Sequence, residues 1–392
     1  MMPDHARRKQ RLAVGLMSGT SLDAVDAALV AISGAGDKIR VCRVAFVTMP
    51  YPAAVRRRLL SVARGEPVAA GEISQLNFLL GALFADAAIA VCRRAQVKPE
   101  KLFVVGSHGQ TIYHQGVTTT ESGRRICSTL QIAEPAVIAE RTRAPVVADF
   151  RAADLAADGQ GAPLVPLVDY LLLRDPRESV VALNLGGIAN VTVIPADASA
   201  GDVIGFDTGP GNMVMDGLVR RFTHGRRSYD PGGSWASRGK LLEDVLSKAL
   251  SFPFFRLRPP KTAGREQFGD AFLQKYFLSR PATFHDLLCT ANELTARTVV
   301  DAIRRRVRSK GSIGRIVVSG GGARNRYLID RIASLSPETP LKLSDEFGFP
   351  SQEKEAIAFA ILADRTMHGL SGNLPRVTGA RRSVVLGKVV RS

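Results

Sequence analysis

The chain writes one pattern twice: an apolar run, a tight turn of glycine and small polar residues, and a second apolar run. Residues 12–18 (LAVGLMS) lead through Gly19, Thr20, Ser21, Leu22 and Asp23 into Ala24 and residues 25–32 (VDAALVAI). Residues 180–185 (VVALNL), Gly186 and Gly187, then residues 188–194 (IANVTVI), repeat it. Short apolar runs bounded by glycine read as buried strands, and a turn this short joins them as a hairpin. A chain of 392 residues has room for two cores. Two related α/β domains facing a shared cleft are therefore expected. The domain boundary falls near residues 150–175. The domains are set at 1–165 and 166–392, with the C-terminal helix and tail packing back toward the first.

The hairpin tips are chemically suggestive. Backbone N–H groups and hydroxyls at residues 19–26 can wrap a phosphate, and Asp23 or Asp26 can hold a hydrated Mg²⁺. The G-K-[ST] ending of a Walker A loop is missing. An ordinary polar turn remains the alternative.

A third stretch, residues 203–212 (VIGFDTGPGN), opens as a strand and then meets glycine and proline, which should end regular structure. Asp207 stands there as a candidate general base ahead of a helix over 213–222, with Asn212 as its N-cap. The bland alternative is an Asp that only fixes its own turn. Residues 102–106 read as a buried strand ending in Ser107, His108, Gly109, Gln110 and Thr111, polar groups at the edge where α/β sheets bind ligands. His108 there orients a neighbour or acts as an acid–base group. His108 and His114 lack helical metal-ligand spacing, which argues against zinc. Arg151 and the glycine-rich loop around Asp158 and Gln160 suit a specificity wall or a linker. Gly320, Gly321 and Gly322 follow a strand over 313–318 and let the backbone approach a flat or anionic ligand. Helices are expected over 53–64, 72–95, 236–250, 266–279, 285–308 and 353–370, and a last strand over 383–386.

Composition narrows the class. Hydrophobic residues make up 45% and charged residues 23%, as in globular proteins. No apolar run reaches the ~18 residues of a membrane span, and the basic segment 1–11 does not read as a signal peptide. Cys42, Cys92, Cys127 and Cys289 are scattered without a C-x-x-C pair, which fits a reducing cytoplasm. The formal charge of +17 sits in short clusters such as residues 56–58, 226–227 and 304–306. That reads as a solvated basic surface able to recruit an anionic substrate, rather than a nucleic-acid footprint.

Taken in order, a set of motifs resembles the anhydro-N-acetylmuramic acid kinase family. They are GLMSGTSLD (15–23), GSHGQTI (106–112), DFRAAD (149–154), GQGAPLVP (159–166), NLGGIANVT (184–192), FDTGPGN (206–212), PPKTAGRE (259–266), SGGGARN (319–325), EAIAFA (355–360) and GNLPRVTGA (372–380). The resemblance implies two actin-like (ribonuclease H-like) ATPase domains and one reaction. ATP phosphorylates O6 of 1,6-anhydro-N-acetylmuramic acid while water opens the anhydro bridge, in cell-wall recycling. It implies Asp207 as the catalytic carboxylate. Residues 19–26 (Gly19, Thr20, Ser21, Leu22, Asp23, Ala24, Val25, Asp26), with Gly186, Gly187 and Asn190, fall on the phosphate site, with Asp23 on Mg²⁺. Gly320, Gly321, Gly322 and Asn325 fall on the adenosine. His108, Gln110, Arg151, Gln160 and Glu355 are the candidates for the sugar and its lactyl carboxylate. A homodimer without nucleic-acid or membrane partners is also implied. The chain departs from the family pattern at Ala24 and Asp158, where glycine is usual, and at Thr262-Ala263, where Ser-Thr is usual. Two rivals keep the scaffold: an ATP-driven switch without sugar chemistry, and a kinase for another amino sugar.

Overall fold

The structure is a computed structural model that describes residues 10–19, 21–307 and 313–392. Thr20 of the first hairpin, the basic segment before residue 10 and Arg308 lie outside the described residues. The strands, in chain order, begin with β1 (Arg11–Ser18), β2 (Ala24–Ser33), β3 (Arg40–Pro50), β4 (Val104–Glu121), β5 (Arg124–Ile132) and β6 (Val146–Ala148). They continue with β7 (Ser179–Leu185), β8 (Ile188–Ile194), β9 (Ile204–Pro210), β10 (Ile313–Ser319), β11 (Leu341–Leu343) and β12 (Lys388–Val390).

The chain divides into two compact units, one running to Leu172 and resuming at Glu353–Ser392, the other spanning Leu173–Gln352. The C-terminal helix and tail thus count with the first unit.

Both units carry the same sheet. In the first, the order is β12-β6-β4-β1-β2-β3, with β5 paired to β4. β1–β2 and β2–β3 are antiparallel, whereas β1–β4 and β4–β6 are parallel. In the second, the order is β11-β10-β7-β8-β9. There β7–β8 and β8–β9 are antiparallel, and β7–β10 and β10–β11 parallel. A three-stranded meander followed by two parallel strands beyond its first member is the ribonuclease H-like arrangement, present twice.

Long helices supply the crossovers that parallel pairing needs. Helix Ala70–Arg94 lies between β3 and β4, and helix Phe284–Val307 between β9 and β10. The first is long and apolar enough to cross a membrane by length and composition, a span the sequence reading did not credit. Its Leu76, Leu80, Phe84, Ala88 and Val91 are fully buried in the core of the first unit. Helix Lys354–Met367 packs on β1 and β4 through a register-paired couple, Gly15 and Gly106. A Cβ at Gly15 would lie 1.8 Å from the carbonyl oxygen of Ala356, and one at Gly106 2.1 Å from that of Phe359. Only glycine lets the helix backbone come that close.

Four expectations need correction. β4 does not stop at Gly106 but runs to Glu121 and folds back as β5. The turn between them is Ser122-Gly123, with φ of +48° and +74°, the two-residue primed turn that suits twisted strands. The helix expected from 236 starts only at Glu243, with a single 3₁₀ turn at Ala236–Arg238. The helix expected over 266–279 breaks into Arg265–Phe268, Asp270–Phe272 and a π-helical turn at Leu273–Phe277. The last strand is β12, which pairs with β6, rather than residues 383–386.

Candidate functional site

In the second unit, β9 continues through Asp207 to Pro210, so this carboxylate sits on a strand and not in a loop. Its cross-strand neighbour is Asn190. The Asp207 backbone N–H donates to the Lys261 carbonyl (3.1 Å), and Oδ2 accepts from the Ala263 N–H (2.8 Å). Oδ1 accepts no hydrogen bond from the described residues. Burial pushes the Asp207 carboxyl up to about 6, with the Ala263 N–H and the Lys261 charge pulling the other way. That lies above the ordinary ~3.9 of an exposed aspartate. A carboxylate so placed is ionised at neutral pH and is a better proton acceptor than an exposed one.

The glycine tips around it split by role. The Gly186 carbonyl accepts from the Asn212 N–H, and the Gly187 carbonyl from those of Gly211 and Met213. The second hairpin tip is thereby tied to the start of helix Met213–Phe222. Asn212 heads that helix without a side-chain cap and donates instead to the Leu185 carbonyl (3.2 Å). In the other glycine run, a Cβ on Gly320 (φ +85°) would meet Asn184 Oδ1 at 2.5 Å, and one on Gly322 would meet Leu185 Cβ at 2.7 Å. Those two glycines serve packing. Gly321 faces open space, its nearest neighbour 3.9 Å away, so it is the member of the three with room for a ligand. Asn325 Oδ1 caps helix Arg326–Leu335 through the Leu328 N–H, and its Nδ2 donates to Asn292 Oδ1 (3.0 Å). The side chain is buried.

In the first unit, the left-handed residue of the hairpin tip is Leu22 (φ +53°). Ser21 Oγ donates to Asp23 Oδ1 (2.5 Å), and the Asp23 carbonyl accepts from the Tyr51 N–H. Val25 is buried in β2. Asp26 accepts from Thr48 Oγ1 (2.6 Å), and its carboxyl is raised by burial, then by the nearby charges of Asp23 and Glu353. Gln110 is 1% exposed, accepts from Ser18 Oγ (2.7 Å) and donates to the Thr111 and Gly19 carbonyls, so it fastens the end of β1.

His108 and Arg151 form a unit. Neutral His108 donates from Nδ1 to the Gly109 carbonyl (2.9 Å). Its Nε2 accepts from Arg151 Nε (3.2 Å) and Nη2 (2.9 Å). Burial and the adjacent guanidinium push the imidazole down to about 3. In this arrangement the ring is placed to orient Arg151. Arg151 Nη1 donates to the Gly161 carbonyl (2.8 Å). Of the five guanidinium N–H groups, one on each Nη is left, the end-on pair that grips a carboxylate. Burial draws Arg151 down to about 10, against the pull of Glu355. Glu355, on the first turn of helix Lys354–Met367, keeps solvent access. Its carboxyl is nevertheless raised, desolvation outweighing Arg151 and Lys354. Gln160 donates its backbone N–H to the Thr378 carbonyl (2.8 Å), and its Oε1 is buried without a partner among the described residues.

The family model for anhydro-N-acetylmuramic acid kinase matches residues 11–392. A protein of that name from Caldanaerobacter subterraneus subsp. tengcongensis is 44% identical over 387 residues, covering 97% of each chain. One from Bacillus thuringiensis subsp. konkukian is 42% identical over 380 residues, covering 96% of this chain and 98% of its own. The chain belongs to the anhydro-N-acetylmuramic acid kinase family. It is an ATP-dependent sugar kinase, and its two ribonuclease H-like units are the fold expected of one.

The departures from the family pattern now have physical readings. Ala24 lies in extended β2 without a positive φ, so alanine is unstrained where the family has glycine. Asp158 does occupy a left-handed position (φ +63°) where the family has glycine, and it is ion-paired with Arg381. Aspartate tolerates that region better than most residues. Ala263 serves Asp207 through its backbone N–H, which any non-proline residue supplies.

Two contributors were missed from sequence. Asp154, fully buried, accepts from Asn373 Nδ2 (2.6 Å), Thr378 Oγ1 (2.7 Å) and the Gly161 N–H (2.8 Å). It thereby fixes the loop whose Gly161 carbonyl holds Arg151. Lys261 is the other, a buried ammonium beside the base. The joint occurrence of DFRAAD and GNLPRVTGA was the only hint of the Asp154 contacts.

Proposed function

We propose that the chain phosphorylates 1,6-anhydro-N-acetylmuramic acid on O6 while opening its anhydro bridge, giving N-acetylmuramate 6-phosphate and ADP for cell-wall recycling. The reading rests chiefly on Asp207, a carboxylate raised to about 6 whose one oxygen is pinned by Ala263 and whose other is free to take a proton. Water bonds to C1 of the sugar, its proton passes to Asp207, and the C1–O6 bond breaks. O6 then bonds to the γ-phosphorus, and the bond to the ADP oxygen breaks. Arg151, oriented by His108, holds the lactyl carboxylate, with Gln160 and Glu355 facing the sugar. The backbone at residues 19–26, Gly186, Gly187 and Asn190 attends the phosphates, and Gly321 the adenosine.

Among the described residues, no group of three or more His, Cys, Asp or Glu side chains forms a metal cage. Asp23 and Asp26 nevertheless suit a hydrated Mg²⁺, because their mutual repulsion at the hairpin would be relieved by a cation. When bound there with substrate oxygens and water, Mg²⁺ would neutralise phosphoryl charge. The free thiols of all four cysteines suit a cytoplasmic enzyme. We take it to act as a homodimer without nucleic-acid or membrane partners.

The test is ADP release from Mg-ATP with and without the anhydro sugar, run in ¹⁸O-water. Sugar-dependent release with the label at C1 of the phosphorylated product is expected. Release indifferent to the sugar would return the ATP-driven switch, and an unlabelled product would rule out ring opening by water.

The pH dependence follows from the same carboxyl. Below about 6 Asp207 is protonated and cannot accept a proton, so kcat/KM should climb through a midpoint near 6 and level off above it. A profile flat between pH 5 and 7.5 would contradict Asp207 as the base.

Removing the guanidinium should act on binding. Arg151→Ala is expected to raise the sugar KM roughly ten- to a hundredfold, the worth of a charged hydrogen-bond pair. Arg151→Lys should recover little, since a point ammonium lacks the fork. Initial rates against sugar concentration decide it; an unchanged KM would remove Arg151 from the sugar site.

A further inference from the structure

The second unit holds a cavity of about 440 Å³ to which the proposed function assigns no substrate. Phe206 and Thr208, the neighbours of Asp207 on β9, line it, and Asp207 itself does not. Its other walls are the end of helix Glu243–Leu250, the segment from Phe255 to Lys261 and one side of helix Phe284–Val307. The volume lies within the ~300–1,000 Å³ usual for small-molecule sites.

Its charge is one-sided. Arg256, Arg258, Lys261, Arg305 and Arg306 line the cavity against a single carboxylate, Asp301. None of these five cations has an ion-pair partner among the described residues. Some cations of the unit are matched, as Arg315 is by Asp175 and Glu178 and Arg331 by Glu293, whereas these five converge on one cavity. Lys261 is buried and Arg306 half-buried, while Arg256, Arg258 and Arg305 stand exposed at the rim; a bound anion would relieve the repulsion among these like charges.

Lys261 shows the strain most clearly. It is 8% exposed, its Nζ donates to the Phe254 carbonyl (3.2 Å) and lies 4.4 Å from the Phe254 ring centroid. Two of its three N–H donors remain. Burial, then Arg305 and Arg306, push the ammonium down to about 8 despite the attraction of Asp207.

The neutral polar groups in the wall select the ligand further. Thr208 and Thr298 give their hydroxyl protons to the Ala189 and Thr295 carbonyls (both 3.1 Å). They have no donor left for a ligand. They leave only acceptor lone pairs toward the cavity, so any hydrogen bonds to an oxyanion there come from the cations. Leu250, Phe255, Leu257 and Pro259 add an apolar wall for a small carbon skeleton.

We propose that this cavity binds a compact phosphorylated anion, a phosphomonoester or diphosphate group, through Arg256, Arg258, Lys261, Arg305 and Arg306. The site is regulatory. The segment that carries Arg256, Arg258 and Lys261 is the one that holds Asp207, through the Lys261 carbonyl and, two residues on, the Ala263 N–H. An anion clamped by Arg258 and Lys261 stiffens the support of the base. Binding of the anion needs only the cavity and its cations, whereas its regulatory effect rests on the reading of Asp207 as the base.

Inorganic pyrophosphate is the probe, titrated calorimetrically into the full chain already saturated with Mg²⁺ and a non-hydrolysable ATP analogue. One further pyrophosphate per chain is expected to bind, weakened tenfold or more in Arg258→Ala/Arg305→Ala. Arg256→Gln/Arg306→Gln is the second variant, should the first prove unstable by circular dichroism. Binding that disappears on nucleotide saturation overturns the proposal, as does binding unchanged in the folded variants. Displacement by a single-stranded oligonucleotide also overturns it, since the cavity would then belong to an extended nucleic-acid groove.

Discussion

Replacement of Asp207 by asparagine should lower sugar-dependent ADP release by about 10²–10⁴-fold, the usual worth of a general base. Asparagine has the same shape, and its Oδ1 can still accept from the Ala263 N–H that holds Asp207 Oδ2. The β9 backbone bond to Lys261 is untouched. What disappears is a group able to take the proton of water. The thermal midpoint should move little, because a half-buried carboxylate penalised by desolvation is replaced by a neutral group. Binding of Mg-ATP, followed by calorimetry, should persist. Wild-type rates in Asp207→Asn would place the base elsewhere, and joint loss of rate and folding would mean that the carboxylate is structural.

The second large effect concerns the core. Gly15→Ala should cost on the order of 3 kcal/mol or more, the upper range for overpacking, and lower the melting midpoint by roughly 5–10 °C for a unit of this size. The added Cβ would stand 1.8 Å from the Ala356 carbonyl oxygen and 2.7 Å from the Ala360 nitrogen. These are backbone atoms of helix Lys354–Met367, so no side-chain rotation relieves the clash. The helix has to lift from β1, and it carries Glu355. Activity should therefore fall with stability. Gly71→Ala is the matched control. It sits in the first turn of helix Ala70–Arg94 with nothing within 4 Å of its added Cβ, and alanine is the better helix former by ~1 kcal/mol. Differential scanning calorimetry separates the two. Equal midpoints for wild type and Gly15→Ala would show that the close approach is not needed.

Some of this was legible in the chain. The two hairpins appear as β1–β2 and β7–β8, in sheets that share one five-strand order, because period and glycine punctuation are local signals. The β4–β5 hairpin was missed although Ser122-Gly123 announces a primed turn. The polar content of residues 107–121 hid a strand that is solvent-exposed over much of its length. Gln110 and Asn325 make side-chain hydrogen bonds within the protein that the chain did not announce, because a polar side chain beside a glycine turn looks the same in sequence whether it faces a ligand or braces the turn.

The sequence by itself determined the strand–turn–strand units, the glycines that allow close approach and the motif set of the family, since each depends on residues adjacent along the chain. The tertiary structure decided the rest. It raised Asp207 to about 6 and lowered His108 to about 3, because desolvation is set by atoms brought in from distant segments. It joined Asp154 to Asn373 and Thr378 and gathered five unpaired cations around one cavity. Those arrangements are properties of packing, and no local pattern of residues encodes them.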